Sequence, residues 1–180
     1  AEAVHACLRA GLRYTPVNWH LTPDEVGYIV RDSGAKALIG DSRFATLLSD
    51  AAGLAPEAGV RLAVGGEIEG FERYDDAIGV EDGSDIADPI TGFRMLYTSG
   101  TTGKPKGVVR PLGYKTGLAA LTSAPKYRPD RGQLNLCTGP MHHGGPLVYS
   151  MCVPIAHGVG TVLMDRWNAA EALRLIEKHR

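Results

Sequence analysis

Apolar residues recur along the chain in two alternating rhythms, one helical and one strand-like. Residues 2–10 have helical spacing, and residues 13–18 (RYTPVN) read as a short strand that runs into a turn. Thr22 stands where a helix N-cap would. Pro23 takes the first helical position, and Glu25, three residues after Thr22, completes a capping-box arrangement. Val26, Ile29 and Val30 supply the apolar face of that helix, and Ser33-Gly34 ends it. Residues 35–40 (AKALIG) are a compact buried strand, a helix then runs from Asp41 or Ser42 to about Ser49, and residues 61–65 (RLAVG) are strand-like again. Residues 65–92 break the rhythm with six glycines, and their stretch EDGSDIAD has four acids and no base. This predicts a polar surface connection with one helical turn at 74–79 and no chemistry of its own. The rhythm resumes with a strand over 93–97, a glycine-rich loop and a strand over 107–110. A helix over 113–124, a strand over 134–138, a loop over 139–145 and a helix over 146–157 follow, then a strand over 160–164 and a helix over 168–179. In the last helix Asn168 sits three residues before Glu171, and Ala172, Leu173 and Ile176 are assigned to one face. Alternation of this kind, without sequence repeats, predicts an α/β fold with a mostly parallel sheet.

At 180 residues the length suggests a single domain with a real core. The net charge of −1 gives no basic surface for nucleic acid or anionic lipid. Cys7, Cys137 and Cys152 form no CxxC motif, so free thiols in a reducing, cytoplasmic setting are expected rather than a zinc site or a disulfide framework. The most apolar stretch, residues 147–164, is broken by Ser150, Pro154 and His157 and does not read as a membrane span. No signal-peptide pattern opens the chain. The chain begins at Ala1 inside a helical pattern and stops at Arg180 with no residue that ends a helix. The expectation is a piece of a larger protein, with a naturally fraying terminal helix as the plainer alternative.

Residues 97–107 (YTSGTTGKPKG) change the picture most. They hold three glycines, the four hydroxyls of Thr98, Ser99, Thr101 and Thr102, and two lysines. Gly100, Gly103 and Gly107 let the backbone turn tightly and come close to a ligand. Successive backbone N–H groups in such a turn make a nest for an anion, and hydroxyls and ammonium groups add donors and charge. The matching ligand is a polyphosphate. No register of the segment gives Gly, four residues, then Gly-Lys-Ser/Thr, so a P-loop kinase or GTPase is disfavoured. The plain alternative is a Gly/Thr-rich surface turn. His142 and His143 could suggest a metal, but adjacent side chains do not converge easily and no third ligand is evident.

Residues 97–108 resemble, position by position, the phosphate-binding signature of the adenylate-forming (AMP-binding) enzymes. That superfamily includes acyl-CoA synthetases, firefly-type luciferases and the adenylation domains of peptide synthetases. Residues 11–39 resemble the segment upstream of the loop in acyl-CoA synthetases. Residues 140–146 (PMHHGGP) resemble the next family motif, and residues 158–180 the strand and helix after it. The resemblance thus extends over essentially the whole chain. It implies that a carboxylate attacks the α-phosphate of Mg-ATP to give an acyl-adenylate and pyrophosphate, after which the thiol of CoA displaces AMP. It assigns Ser99, Gly100, Thr101, Thr102, Gly103 and Lys106 to the β- and γ-phosphates, with Thr98 also able to reach Mg²⁺. Lys106 and His143 are then the catalytic candidates, His143 as a positioning group near the acyl and adenylate pocket, where Gly144 and Gly145 leave room. Lys104 is left as a solvated charge, and His142 as structural.

Thr101 and Asn18 stand where peptide-synthetase domains tend to have Ser and Asp, which favours an acyl-CoA synthetase acting on a carboxylic, expectedly fatty, acid. The resemblance places residues 1–180 within the large N-terminal domain. The family's aromatic-Gly-x-Thr-Glu motif, its ribose-binding Asp and its small C-terminal domain are not among these residues. The chain alone is therefore expected to be catalytically incomplete and marginally stable. The rival readings are a short, non-catalytic nucleotide-binding or interaction protein that kept the loop, and an unrelated ATP-dependent transferase with a convergent one.

Overall fold

The computed structural model describes residues 1–98, 103–109 and 127–179. Ser99 to Thr102 and the helix expected over 113–124 lie outside the described residues. The chain divides into two compact units. One comprises Val17–Asp88 and Tyr97–Val109; the other comprises Ala1–Pro16, Pro89–Leu96 and Arg110–Arg180.

The first unit is built on helix α2 (Pro23–Asp32) and a parallel sheet in the order β2 (Ala37–Asp41), β3 (Val60–Val64), β4 (Glu72–Arg73). The expected capping box at Thr22 is present. Thr22 Oγ1 accepts from Glu25 N at 3.4 Å, and Glu25 Oε2 accepts from Thr22 N at 2.8 Å. Gly34 ends the helix at φ +65°. Its N–H donates to Arg31 O and the N–H of Ala35 donates to Val30 O, a Schellman termination that only a residue tolerant of positive φ accepts easily. Thr22→Ala is expected to cost about 1 kcal/mol of stability, read as a lowered midpoint in urea unfolding.

Ser42–Phe44 form a 3₁₀ turn and Ala45–Gly53 form α3, so the helix expected from residue 41 or 42 begins as 3₁₀ and runs four residues beyond Ser49. The core of this unit joins Val26 and Val30 of α2, Leu48, Ala51 and Ala52 of α3, and Leu38 and Ala63 of the sheet. Small residues dominate it, so the helices approach closely. A Cβ on Gly27 would lie 2.8 Å from the Leu54 Cβ. Arg31 Nη1 donates to the Leu54 carbonyl and ties α2 to the end of α3.

The segment 65–92 contains more structure than a solvated connection. Ile68 is buried in the core with Phe71 packed against it, and β4 follows immediately. Two apolar residues among acids are enough to fold it back. The helical turn expected at 74–79 is present as α4 (Tyr74–Gly79).

The second unit holds α1 (Glu2–Arg9), β1 (Arg13–Tyr14) paired in parallel with β5 (Phe93–Arg94), and β8 (Leu134–Cys137) paired in parallel with β9 (Gly160–Leu163). The strand expected over 93–97 is split. Phe93–Arg94 pair with β1, while β6 (Leu96–Thr98) pairs with β7 (Lys106–Val108). The helix expected over 146–157 is a π-helix over Pro146–Cys152 that runs into the short α-helix α5 (Val153–Ala156). Pro154 has no N–H to give the Ser150 carbonyl, and Asn135 Nδ2 donates to that carbonyl instead at 2.7 Å.

Helix α6 (Ala169–His179) follows the Asn168 cap, whose side chain accepts from Glu171 N at 2.9 Å. Its buried residue is Ala172. Leu173 and Ile176 are 69% and 56% exposed, so they do not share one buried face with Ala172. Cys7, Cys137 and Cys152 are not disulfide-bonded; Cys137 is buried and the other two are half-buried. Among the described residues no helix is long and apolar enough to cross a membrane.

Candidate functional site

The glycine-rich loop springs from β6 and returns into β7. Of the predicted phosphate ligands, Thr98, Gly103 and Lys106 are described, and Ser99, Gly100, Thr101 and Thr102 lie outside the described residues. Thr98 is exposed at the end of β6 and its Oγ1 donates to the Lys106 carbonyl at 3.4 Å, a long bond that joins the two stems. Gly103 has φ +93°, and nothing lies within 4 Å of where a Cβ would sit. Conformation, not crowding, therefore asks for glycine there. Lys106 opens β7 with its side chain exposed. Among the described residues no carboxylate forms an ion pair with it.

The stems are held by α2, which local sequence patterns do not reveal. The Tyr97 hydroxyl donates to Asp32 Oδ2 at 2.6 Å, and the Tyr28 hydroxyl donates to Pro105 O at 3.3 Å. Lys104 Nζ lies 5.3 Å from the Tyr28 ring centroid, so this lysine is not simply solvated. Burial, followed by the hydrogen bond to Asp32, raises the Tyr97 phenol well above its ordinary range. Tyr28 is raised too, by desolvation and then by the Asp32 charge.

In the other unit, burial also raises Tyr14, with Cys152 adding to the effect. A phenol raised in the fold keeps its proton after the unfolded chain has lost it. Stability is then fully present below the unfolded value near 10 and falls as the pH rises above it. The expected result is a melting temperature that declines from about pH 10 upward, less steeply in a Tyr14→Phe, Tyr97→Phe double variant.

His143 also belongs to that other unit. Its side chain is exposed, its N–H donates to Pro140 O at 3.1 Å, and its carbonyl accepts from Leu147 N at 3.1 Å. The His142 and His143 rings are tilted with centroids 4.5 Å apart. A Cβ on Gly144 would sit 2.9 Å from Leu96 Cδ1, whereas Gly145 faces open space. A side chain at position 144 would therefore meet Leu96, and one at position 145 would meet nothing.

Among the described residues no group of three His, Cys, Asp or Glu side chains could hold a metal ion. Thr98 Oγ1 offers a single oxygen, which does not make a magnesium site by itself. A magnesium ion would depend on further oxygens, those of a polyphosphate among them.

The fold and the loop define a class: a mostly parallel α/β protein with a Gly/Thr/Lys-rich loop between two paired strands. All of residues 1–180 match the family model for AMP-binding enzymes, and the chain belongs to that family. It is 30% identical to 4-coumarate–CoA ligase 5 of Oryza sativa subsp. japonica over 188 residues, covering 99% of this chain and 34% of that protein. It is 35% identical to the fatty acid–[acyl-carrier-protein] ligase ScoC of Streptomyces coeruleorubidus over 109 residues, 60% of this chain and 20% of that one. Among solved structures, apo MbtA from Mycobacterium smegmatis superposes with a TM-score of 0.77 at 21% identity, over 98% of this chain and 34% of that chain. The anthranilate CoA ligase AuaEII, bound to anthranoyl-AMP, superposes with a TM-score of 0.70 at 22% identity, over 94% of this chain and 33% of its own. The chain thus spans about a third or less of the length of these relatives.

Proposed function

We propose that this chain is part of an ATP-dependent acid–thiol ligase, within the large N-terminal domain of a longer enzyme. The carrying observation is the loop over residues 97–107, with Lys106 exposed at its returning strand, in a chain of the AMP-binding family. Ser99, Gly100, Thr101, Thr102, Gly103 and Lys106 bind the β- and γ-phosphates of ATP. The carboxylate oxygen of the acid forms a bond to the α-phosphorus. The bond from that phosphorus to the β-bridging oxygen breaks, and pyrophosphate leaves with the electron pair. Lys106 and the loop N–H groups stabilise the charge that builds on the leaving group. The sulfur of a thiol then attacks the acyl carbon of the adenylate, AMP leaves, and the thiol proton passes to solvent. Magnesium, if bound with the nucleotide, would supply charge neutralisation, and Thr98 Oγ1 is proposed as a protein ligand to it. His143 is proposed to position the acyl-adenylate.

A fatty acid is the proposed acid and CoA the proposed thiol. The 35% identity to a fatty acid–[acyl-carrier-protein] ligase favours the same acid and supports a second reading in which the thiol belongs to a carrier protein. Acid-dependent exchange of labelled pyrophosphate into ATP tests the first half-reaction, and thioester formation with CoA against carrier protein tests the second. Exchange catalysed by the isolated 180-residue chain would show that no further domain is needed, contrary to the proposal.

A further inference from the structure

We propose that Tyr28 and Asp32 of α2 are positioning residues that grip both stems of the loop over residues 97–107 and hold it in place for a nucleotide polyphosphate. This rests on the phosphate-loop reading given above. The two residues are four apart on the helix, so both side chains project from one side of it. Asp32 Oδ2 accepts from the Tyr97 hydroxyl at 2.6 Å on the entering stem. Tyr28 donates to Pro105 O at 3.3 Å on the returning stem, and its ring lies under the Lys104 ammonium at 5.3 Å. Thr98 Oγ1 closes the stems on each other at the Lys106 carbonyl.

The helix that presents the pair is itself fixed. It has a capping box at Thr22 and a Schellman turn at Gly34, and Val26, Gly27, Ile29 and Val30 are buried behind it. Rigid support of this kind is what a backbone anion site requires. Its N–H groups stabilise developing charge only if they are aimed before the ligand arrives. Both phenols stay protonated well beyond neutral pH, so they remain donors to Asp32 and Pro105. The second hydrogen bond sets Lys106, one residue after Pro105, at the opening of β7.

The test uses the full-length protein that contains this chain and measures the KM for ATP, the KM for the acid and kcat. Asp32 is exposed, so Asp32→Ala is expected to fold, and a thermal melt checks it. Asp32→Ala is expected to raise the KM for ATP about tenfold, with the KM for the acid unchanged. Asp32→Asn keeps an acceptor for Tyr97 and is expected to restore the value to within about twofold to threefold of wild type. Tyr28→Phe keeps the ring under Lys104 and is expected to raise the KM for ATP about threefold. If Asp32→Ala leaves the KM for ATP unchanged while Lys106→Ala raises it, the grip is overturned and the phosphate loop stands. An equal rise in the Asn and Ala variants at position 32 also overturns the grip. If Lys106→Ala likewise leaves the KM for ATP unchanged, the phosphate-loop reading fails, and the proposal falls with it.

Discussion

Lys106→Ala is expected to lower kcat/KM for ATP in acid-dependent pyrophosphate exchange by about 10²-fold. The lysine stands at the first position of β7, exposed, with its carbonyl bonded to Thr98 and no described carboxylate paired to its ammonium. Its charge is therefore available to a phosphate rather than spent on a salt bridge. The effect should be largest on the step that expels pyrophosphate, because charge on the β- and γ-phosphates grows there. Lys106→Arg keeps the charge but changes its reach and hydration, and is expected to recover only part of the rate. Lys36→Ala removes an equal charge elsewhere on the surface and is expected to stay near wild type. Steady-state exchange rates over a range of ATP concentrations separate these cases.

Gly92→Ala is expected to be the most damaging small substitution for folding, costing about 3 kcal/mol or more. Gly92 is buried where β5 meets the end of α1. Its N–H donates to Leu8 O at 2.7 Å, and the next N–H, that of Phe93, donates to Leu12 O at 3.1 Å. A Cβ there would lie 2.2 Å from Cys7 O and 2.4 Å from Leu12 O. Both are backbone atoms. Cys7 O also accepts from Leu12 N at 2.9 Å, so neither carbonyl can swing aside without breaking a bond. The clash has to separate β1 from β5. Urea unfolding followed by circular dichroism should show a lowered midpoint. At Gly145, where nothing lies within 4 Å of the position a Cβ would take, Ala should be close to neutral.

The parts of the fold that were readable from the sequence are those governed by neighbours along the chain. Thr22, Pro23, Glu25 and Gly34 define α2 at both ends because capping is a matter of three or four residues. The strands at 37–41, 60–64, 134–137 and 160–163 lie within two residues of their expected limits, because each is a short apolar run between turn residues. What periodicity missed depends on distant partners. The π-helix over Pro146–Cys152 arises because Pro154 leaves the Ser150 carbonyl to Asn135, fifteen residues away in sequence. β4 exists because Ile68 enters a core built by α2 and α3.

The site divides in the same way. The glycines, hydroxyls and lysines of the loop stand side by side in the sequence, and that is why an anion site could be proposed from it. Their support does not, because Asp32 and Tyr28 lie 65 and 77 residues from the atoms they hold. An i, i+4 pair of Tyr and Asp on a helix whose buried residues are accounted for was the available signal. The role proposed for His143 rests on the family motif alone, since an exposed histidine in a loop has no chemistry of its own to announce.

The central claim is that this loop holds ATP for attack by a carboxylate. Acid-dependent exchange of labelled pyrophosphate into ATP, measured in the full-length protein with and without Lys106→Ala, tests it most directly. The account predicts exchange that requires an added acid and falls about 10²-fold in the variant. Exchange that proceeds equally well in the variant, or none with any carboxylic acid, would contradict it.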